Sequence, residues 1–353
     1  MKILVTGSSG LIGSEAVEYF DYLGHEVFGI DNNMRRFFFG PKGDTTWNLK
    51  RLQNVTKRFR HFDLDIRNRE AVFLLFEQND FDLIIHCAAQ PSHDRAKDIP
   101  LLDFDVNAGG TISLLEATRQ NCPDAVFIHM STNKVYGNAP NELPLVELET
   151  RFDYARPENY EGIDEGCSID QSLHSLFGAS KVAADIMAQE YSRYFHLNVG
   201  IFRGSCLTGP SHSGVELHGF LSYLVKSAMV DETYTIFGYK GKQVRDQIHS
   251  YDVIRAMEFF AHNPRPGEVY NLGGGRANSA SVLECIAMIE NVAGRKIHWQ
   301  YNKQHRTGDH ICYISNLRKF KSHYPDWGIT HSLEDIIVEM AEAEFSRHSQ
   351  TST

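Results

Sequence analysis

The sequence lacks the features that mark nucleic-acid-binding, secreted and membrane proteins. It has no block of lysine and arginine, and its formal net charge of -10 argues against the broad basic surface that nucleic acid requires. Its six cysteines include no Cys-x-x-Cys pair and no His/Cys group at zinc spacing, so we expect reduced thiols and no metal. The N-terminal apolar run ends at Gly7, too short for a secretion signal, and no run of about 18 apolar residues could span a bilayer. We therefore predict a soluble cytoplasmic protein that binds neither nucleic acid nor membrane.

Short apolar runs alternate with amphipathic stretches through the first half of the 353 residues. This alternation is typical of strand–helix–strand units around a parallel sheet. The pattern predicts buried strands at 3–5, 27–30, 60–62, 83–85, 126–128 and 199–202. It predicts helices at 11–23, 69–78, 175–194, 250–262, 279–292 and 332–347, and a long helix that contains Asn107 and ends near Arg119.

Three glycines and one carboxylate predict a dinucleotide site. Gly7, Gly10 and Gly13 lie in TGSSGLIGS, between the first strand and the first helix, and Asp31 ends the second strand 18 residues after Gly13. Glycines at this spacing allow a tight turn and close approach of the backbone to a pyrophosphate at the helix N-terminus. A carboxylate about 20 residues further on suits an adenosine ribose and repels the extra phosphate of NADP. Although Arg35 and Arg36 lie close enough to weaken this repulsion, we predict NAD as the cofactor.

The predicted fold class is α/β, with a Rossmann doubly wound parallel sheet and a smaller C-terminal substrate lobe. We expect the NAD-binding domain to span 1–205, with a later segment of about 245–272 returning to it. The substrate lobe should comprise 206–244 and 273–347, and residues 348–353 should form a disordered tail.

Several segments resemble the extended short-chain dehydrogenases/reductases, within the NAD-dependent epimerase/dehydratase family. They are the TGxxGxxG spacing, HCAA at 86–89 and NAGGTISLLEATR at 107–119. Besides the glycines and Asp31, the resemblance implies cofactor contacts from Ser9, Leu11, Ile12, Asn32, Asn33, Asp65, Ile66, Ala88, Ala89, Gln90, Asn107 and Lys181.

The family's chemical centre is present except for one hydroxyl. The resemblance implies a Ser or Thr at a strand end and a Tyr-x-x-x-Lys pair on a helix, and it places Thr132 and Lys181 in these roles. Phe177 occupies the tyrosine position and has no proton to exchange. Either another group transfers the proton, with Lys134 as the first candidate, or the chain is inactive, or the residue has been altered from tyrosine.

The segments STNKVYG, HSxxGxSK and GKQVRDxxH together resemble the 2-epimerases of CDP-sugars in this family. The resemblance implies that bound NAD transiently oxidises the sugar of a CDP-, UDP- or GDP-linked substrate, in a homo-oligomer (dimer or tetramer). It also implies substrate contacts from Ser92, Thr132, His174, Arg203, Arg245 and Arg306, the last two on the diphosphate. Asn133 and Lys134 replace the Asp-Glu pair of the 4,6-dehydratases. The alternatives are another NAD-assisted reaction, such as dehydration or oxidation, and a non-catalytic NAD-binding protein.

Overall fold

The computed structural model describes residues 1–216, 218–304 and 308–351, with side chains as far as residue 347. The strands are β1 (Lys2–Thr6), β2 (Glu26–Ile30), β3 (Phe59–Phe62), β4 (Leu83–His86), β5 (Val126–Thr132), β6 (Leu145–Glu147), β7 (Phe152–Tyr154), β8 (Asn198–Gly204), β9 (Cys206–Thr208), β10 (Tyr234–Phe237), β11 (Val244–His249), β12 (Val269–Leu272), β13 (Ser279–Ser281), β14 (Trp299–Asn302) and β15 (Cys312–Tyr313). The α-helices are α1 (Leu11–Tyr22), α2 (Met34–Phe39), α3 (Thr46–Val55), α4 (Arg69–Glu77), α5 (His93–Ala96), α6 (Pro100–Phe104), α7 (Gly110–Asn121), α8 (Ser175–Phe195), α9 (Phe220–Met229), α10 (Ser250–His262), α11 (Val282–Ala293), α12 (Arg318–His323) and α13 (Leu333–Thr351).

Seven parallel strands form the central sheet, in the order β12-β8-β5-β4-β1-β2-β3. Alternate side chains of β1 enter opposite cores, because successive residues of a strand face opposite sides. Ile3 and Val5 join α1 and α10 on one face, and Leu4 joins α4 and α7 on the other. All three are fully buried. Because both faces of β1 are covered, these consecutive residues are all apolar. The predicted doubly wound α/β fold is confirmed.

Two predicted helices differ from the observed ones. The long helix through Asn107 is divided into α6, a π-helical turn at Asp105–Gly109, and α7. The helix expected from residue 279 begins at Val282, because Ser279–Ser281 pairs antiparallel with β11. Ser281 then caps α11 in a reciprocal pair with Glu284, whose backbone N–H donates to the Ser281 hydroxyl at 3.1 Å.

A second lobe is built from short strands and three helices. β11 pairs with β9, β13 and β15, while β10 pairs with β14. The helices α9, α11 and α13 share an apolar core. α13 continues to Thr351, which is inside the segment expected to be disordered. Among the described residues, no helix has both the length and the apolar character needed to cross a bilayer.

Candidate active site

A cavity of about 450 Å³ lies where five strands of the central sheet end, between that sheet and the second lobe. Gly7 follows β1, Asp31 follows β2, Cys87 follows β4, and Thr132 and Gly204 end β5 and β8. Arg245 on β11 lines the cavity from the second lobe. Because parallel strands end at one edge of a sheet, residues distant in the sequence share this cavity.

The glycine turn forms a cradle in which side chains would not fit. Gly7 has φ +68°, and a Cβ there would lie 2.9 Å from the backbone nitrogen of Ala88. A Cβ on Gly13 would collide with the carbonyl oxygen of Gly7. Gly10, the N-cap of α1, carries no capping side chain, so the first turn of the helix is open to an anion. This arrangement fits the pyrophosphate of a dinucleotide.

Asp31 lies beside this cradle, directly after β2, and lines the cavity. Its carboxylate accepts backbone N–H groups from Asn33 at 2.8 Å and from Ser9 at 2.9 Å. Burial raises the pKa of Asp31, and these two hydrogen bonds oppose the increase. Arg35, on α2, donates to the carbonyl oxygen of Ser213 at 2.6 Å, so α2 is tied to the segment after β9. Burial lowers the pKa of Arg35 to about 10.

Most residues expected to contact the cofactor line the cavity. They are Gly7, Gly10, Leu11, Ile12, Gly13, Asp31, Asn32, Asp65, Ile66, Ala88, Ala89 and Lys181. Ser9, Asn33, Gln90 and Asn107 are not among the lining residues. Gln90 donates its backbone N–H to the Asn107 side chain at 2.9 Å, and Asn107 donates to the Ser180 hydroxyl at 3.0 Å. Gln90 and Asn107 are buried, and these hydrogen bonds join the segment that follows Ala89 to the π-helical turn and to α8.

Thr132, Lys134, Phe177 and Lys181, the residues at the family's catalytic positions and their neighbour, also line the cavity. The Lys181 ammonium donates to the carbonyl oxygen of Met130 at 2.9 Å, and burial lowers its pKa to about 8. The Thr132 hydroxyl accepts the backbone N–H of Lys134 at 3.3 Å. The Phe177 side chain is buried against the cavity and offers no hydroxyl.

The Lys134 ammonium lies between the sheet and the segment after β14. Its Nζ is 3.5 Å from Oδ1 of Asp309 and donates to the carbonyl oxygen of Gly308 at 3.3 Å. Burial lowers the pKa of Lys134 to about 8, and the Asp309 carboxylate opposes this change. Arg245 also pairs with Asp309, through Nη2, so two cations share one carboxylate. Asp309 was not found from the sequence, because its partners are more than 60 residues away.

The family model described as the NAD dependent epimerase/dehydratase family matches residues 3–273. The chain belongs to this family. It is 32% identical over 347 residues (96% of this chain and 98% of the relative) to a CDP-paratose 2-epimerase from Salmonella typhi. It is 25% identical over 337 residues (94% and 93%) to a UDP-glucuronate 4-epimerase from Thermodesulfobacterium geofontis. The structure of UDP-glucuronic acid 4-epimerase from Bacillus cereus with UDP-glucuronic acid and NAD is 27% identical, covers 98% of this chain and 100% of that one, and has a TM-score of 0.77.

Membership of the NAD dependent epimerase/dehydratase family confirms the family expected from the motifs and NAD as the cofactor. The glycine cradle and Asp31 are the parts of this chain that fit NAD. The expectation of an enzyme of the epimerase/dehydratase type is confirmed as well.

The residues expected to bind substrate are divided between the cavity and the protein interior. Thr132 and Arg245 line the cavity, and the Arg245 guanidinium is held by Asp309 and by the carbonyl oxygen of His310. Arg306 lies outside the described residues. The Ser92 hydroxyl caps α5 by accepting the backbone N–H of Arg95 at 3.2 Å.

The expected placement of Arg203 and His174 needs correction. Arg203 does not face the cavity. It donates to both carboxylate oxygens of Asp185, at 2.9 and 3.0 Å, and to the Tyr136 hydroxyl at 3.1 Å. A guanidinium buried beneath the sheet needs such a counter-charge, and the partner is on α8. The ring nitrogens of His174 lie 2.7 and 2.8 Å from the carbonyl oxygens of Ser172 and Val135, so this ring joins the start of α8 to the turn after β5.

His93 and Cys206 also line the cavity, and neither was predicted from the sequence. His93 follows β4 closely, in the segment after HCAA. The rule that ligands bind at the carboxyl ends of parallel strands is the signal that points to it.

Proposed function

We propose that this protein is an NAD-dependent nucleotide-sugar epimerase, which inverts one sugar carbon by transient oxidation and shows no net redox change. One observation carries the proposal. A single cavity runs from the glycine cradle and Asp31, past Thr132 and Lys181, to the Lys134–Asp309–Arg245 cluster. The 2-epimerase reaction is the specific form we favour, because the CDP-paratose 2-epimerase matches nearly the whole chain.

Different parts of the cavity would bind the cofactor and the sugar. When bound, NAD supplies the redox chemistry, accepting a hydride from a sugar carbon and returning it. Asp31 would hold the adenosine ribose, and Lys181 on α8 lies near the chemical end. Thr132 would hydrogen-bond the sugar.

Arg245 and Lys134 would hold the negative groups of the substrate. Both are cations that line the cavity, and both now face the Asp309 carboxylate. A diphosphate can compete for the Arg245 guanidinium, because its oxygens match the two-pronged geometry that a carboxylate uses. Asp309 thus keeps the two cations in place until an anionic substrate arrives. Arg306, a few residues before Asp309, is the second proposed diphosphate contact.

We further propose a cytoplasmic homo-oligomer, a dimer or a tetramer. The six cysteines, which all lie within the described residues, carry free thiols, as expected in a reducing compartment. The oligomer is proposed from the family resemblance alone.

The test is turnover of defined nucleotide sugars by the purified protein. CDP-paratose, UDP-glucuronate, UDP-glucose and dTDP-glucose are each incubated with it, and the products are identified by proton NMR while the absorbance of reduced nicotinamide is followed. We expect an epimer of one sugar to form with no net accumulation of reduced NAD. Accumulated reduced NAD would indicate oxidation instead, and a deoxy-keto sugar would indicate dehydration. Bound NAD and nucleotide sugar with no conversion would support the non-catalytic alternative.

One variant and a matched control test whether Arg245 binds the substrate. Arg245→Ala should weaken nucleotide-sugar binding by about 1.5–3 kcal/mol, the range for a charge-assisted hydrogen bond, and leave NAD binding nearly unchanged. The matched control is Lys240→Ala, since the Lys240 side chain is 65% exposed and pairs with Glu147 outside the cavity. Equal nucleotide-sugar affinities for Arg245→Ala and the control would remove Arg245 from the site.

A further inference from the structure

A histidine lies beside the position where the family's catalytic hydroxyl is missing. The imidazole ring of His93 is 5.0 Å from the Phe177 ring, centroid to centroid, at an angle of 59°. Both side chains line the cavity. His93 is the first residue of α5, close after β4, whereas Phe177 is on the first turn of α8. The titratable ring of His93 on α5 therefore contacts the ring of Phe177 on α8, which occupies the position of the family's tyrosine.

The His93 ring is oriented by a hydroxyl group. Its Nδ1 lies 3.0 Å from Oγ of Ser175, which also accepts the backbone N–H of Gly178 at 3.3 Å. The Ser175 hydroxyl oxygen can accept a second N–H, and a proton held on Nδ1 leaves the lone pair of a neutral imidazole on Nε2.

Ser175 holds this position in a strained backbone conformation. Its φ is +62°, in the left-handed region that a non-glycine residue rarely adopts. Gly308 also packs here: a Cβ on it would be 3.5 Å from Cβ of Ser175 and 3.6 Å from Nδ1 of His93. Strain of this kind, held by the surrounding structure, is found most often at functional sites.

We propose that His93 is the catalytic base of this enzyme, with Nε2 taking the proton that the family's tyrosine takes and Ser175 positioning the ring through Nδ1. The proposal rests on the proposed epimerase function. In the oxidation half-reaction the O–H bond of the sugar breaks and its proton goes to Nε2. The hydride of the same carbon leaves to the oxidised nicotinamide, and a C=O bond forms. In the reverse half-reaction the reduced nicotinamide would return the hydride to the opposite face of the carbonyl carbon, and the imidazolium would give its proton to the carbonyl oxygen, which forms the inverted alcohol.

Each of the two lysines of the cavity is held by an oxygen acceptor. Lys181 donates to the backbone carbonyl of Met130, and Lys134 faces the carboxylate of Asp309, which favours its cationic form. A cation cannot accept a proton, whereas a neutral imidazole can. Other titratable groups also line the cavity around His93: Asp94, Lys134, Lys181, His218 and Asp309.

The first measurement is single-turnover reduction of bound NAD by the nucleotide sugar that the parent converts. His93→Gln should lower this rate by about 10²–10⁴-fold, the usual contribution of a general base, with little change in the Kd of the nucleotide sugar. It should also remove the acid limb of the pH–rate profile. Adding a phenol in the double variant His93→Gln, Phe177→Tyr should restore much of the rate. The matched control is His298→Gln, because the His298 side chain is 69% exposed and lies away from the cavity.

The second measurement does not depend on activity. Nitrogen NMR of histidine-labelled protein, with the His93 signals identified by their loss in His93→Gln, reports which ring nitrogen carries the proton. We expect Nδ1–H in the parent and a mixture of tautomers in Ser175→Ala.

Failure of the proposed function and failure of the His93 assignment give different results. If the parent reduces bound NAD with none of the sugars, the proposed function and the role of His93 are both refuted. If the parent is active and His93→Gln is equally active, or if His93 holds its proton on Nε2 at neutral pH, the assignment of His93 alone is refuted.

Discussion

Asp31 should decide the choice between NAD and NADP. Its carboxylate lines the cavity and already accepts two backbone N–H groups, at 2.8 and 2.9 Å, so it is held rigidly where a ribose would bind. One charge-assisted hydrogen bond to a ribose hydroxyl contributes about 1.5–3 kcal/mol, which is roughly 10- to 140-fold in affinity. Asp31→Ala should therefore weaken NAD binding by about this factor. NADP binding should weaken less or improve, because the repulsion between the carboxylate and the extra phosphate disappears.

The assay is equilibrium binding of NAD and NADP to protein freed of bound cofactor, with the ratio of the two Kd values as the result. Asp44→Ala is the matched control, since Asp44 lies in the same segment and bonds to Asn33 and Thr46 without lining the cavity. Thermal unfolding of each variant shows whether loss of the two backbone hydrogen bonds has weakened the fold. Equal affinities for NAD and NADP in the parent, or an unchanged ratio in Asp31→Ala, would refute the reasoning.

Three further predictions concern single side chains. Phe177→Tyr in the parent should change the rate of NAD reduction by less than about tenfold in single-turnover measurements, because His93 already takes the proton; a gain of about 10²-fold or more would mean that the parent lacks a working base. The pKa of Lys134, lowered to about 8, makes this side chain neutral above that pH, so nucleotide-sugar affinity should fall as the pH rises through it, and Lys134→Met should flatten the profile in binding titrations. Asp185→Ala should lower the free energy of unfolding by about 3–5 kcal/mol in denaturant titrations, because it leaves the Arg203 guanidinium buried without its counter-charge, and a loss under about 1 kcal/mol would contradict this.

The sequence alone was sufficient to predict NAD as the cofactor, and the glycine turn and Asp31 that it singled out line the cavity. Its signals are local: a short apolar run predicts β1, the glycine spacing predicts the turn, and Asp31 follows directly from the end of β2. Such features depend on neighbouring residues and on the steric limits of the backbone, so they are readable without knowledge of the tertiary structure.

Local patterns were less reliable where tertiary pairing intervened. Residues 279–281 carry no strong strand signal, and they form a strand only because β11 lies alongside. Likewise, the π-helical turn at Asp105–Gly109 interrupts a segment whose sequence pattern predicts one continuous helix.

Only the tertiary structure decided which partners the polar side chains find. Arg203 meets Asp185, 18 residues away, and Arg245 meets Asp309, 64 residues away. His93 meets Ser175, 82 residues away, beside the phenylalanine that replaces the family's tyrosine. The residue type determines what a side chain can donate, accept or neutralise, but its partner depends on how strands and helices pack. A buried charge binds whichever opposite charge the packing brings within reach, and so one arginine expected in the substrate site became part of the core.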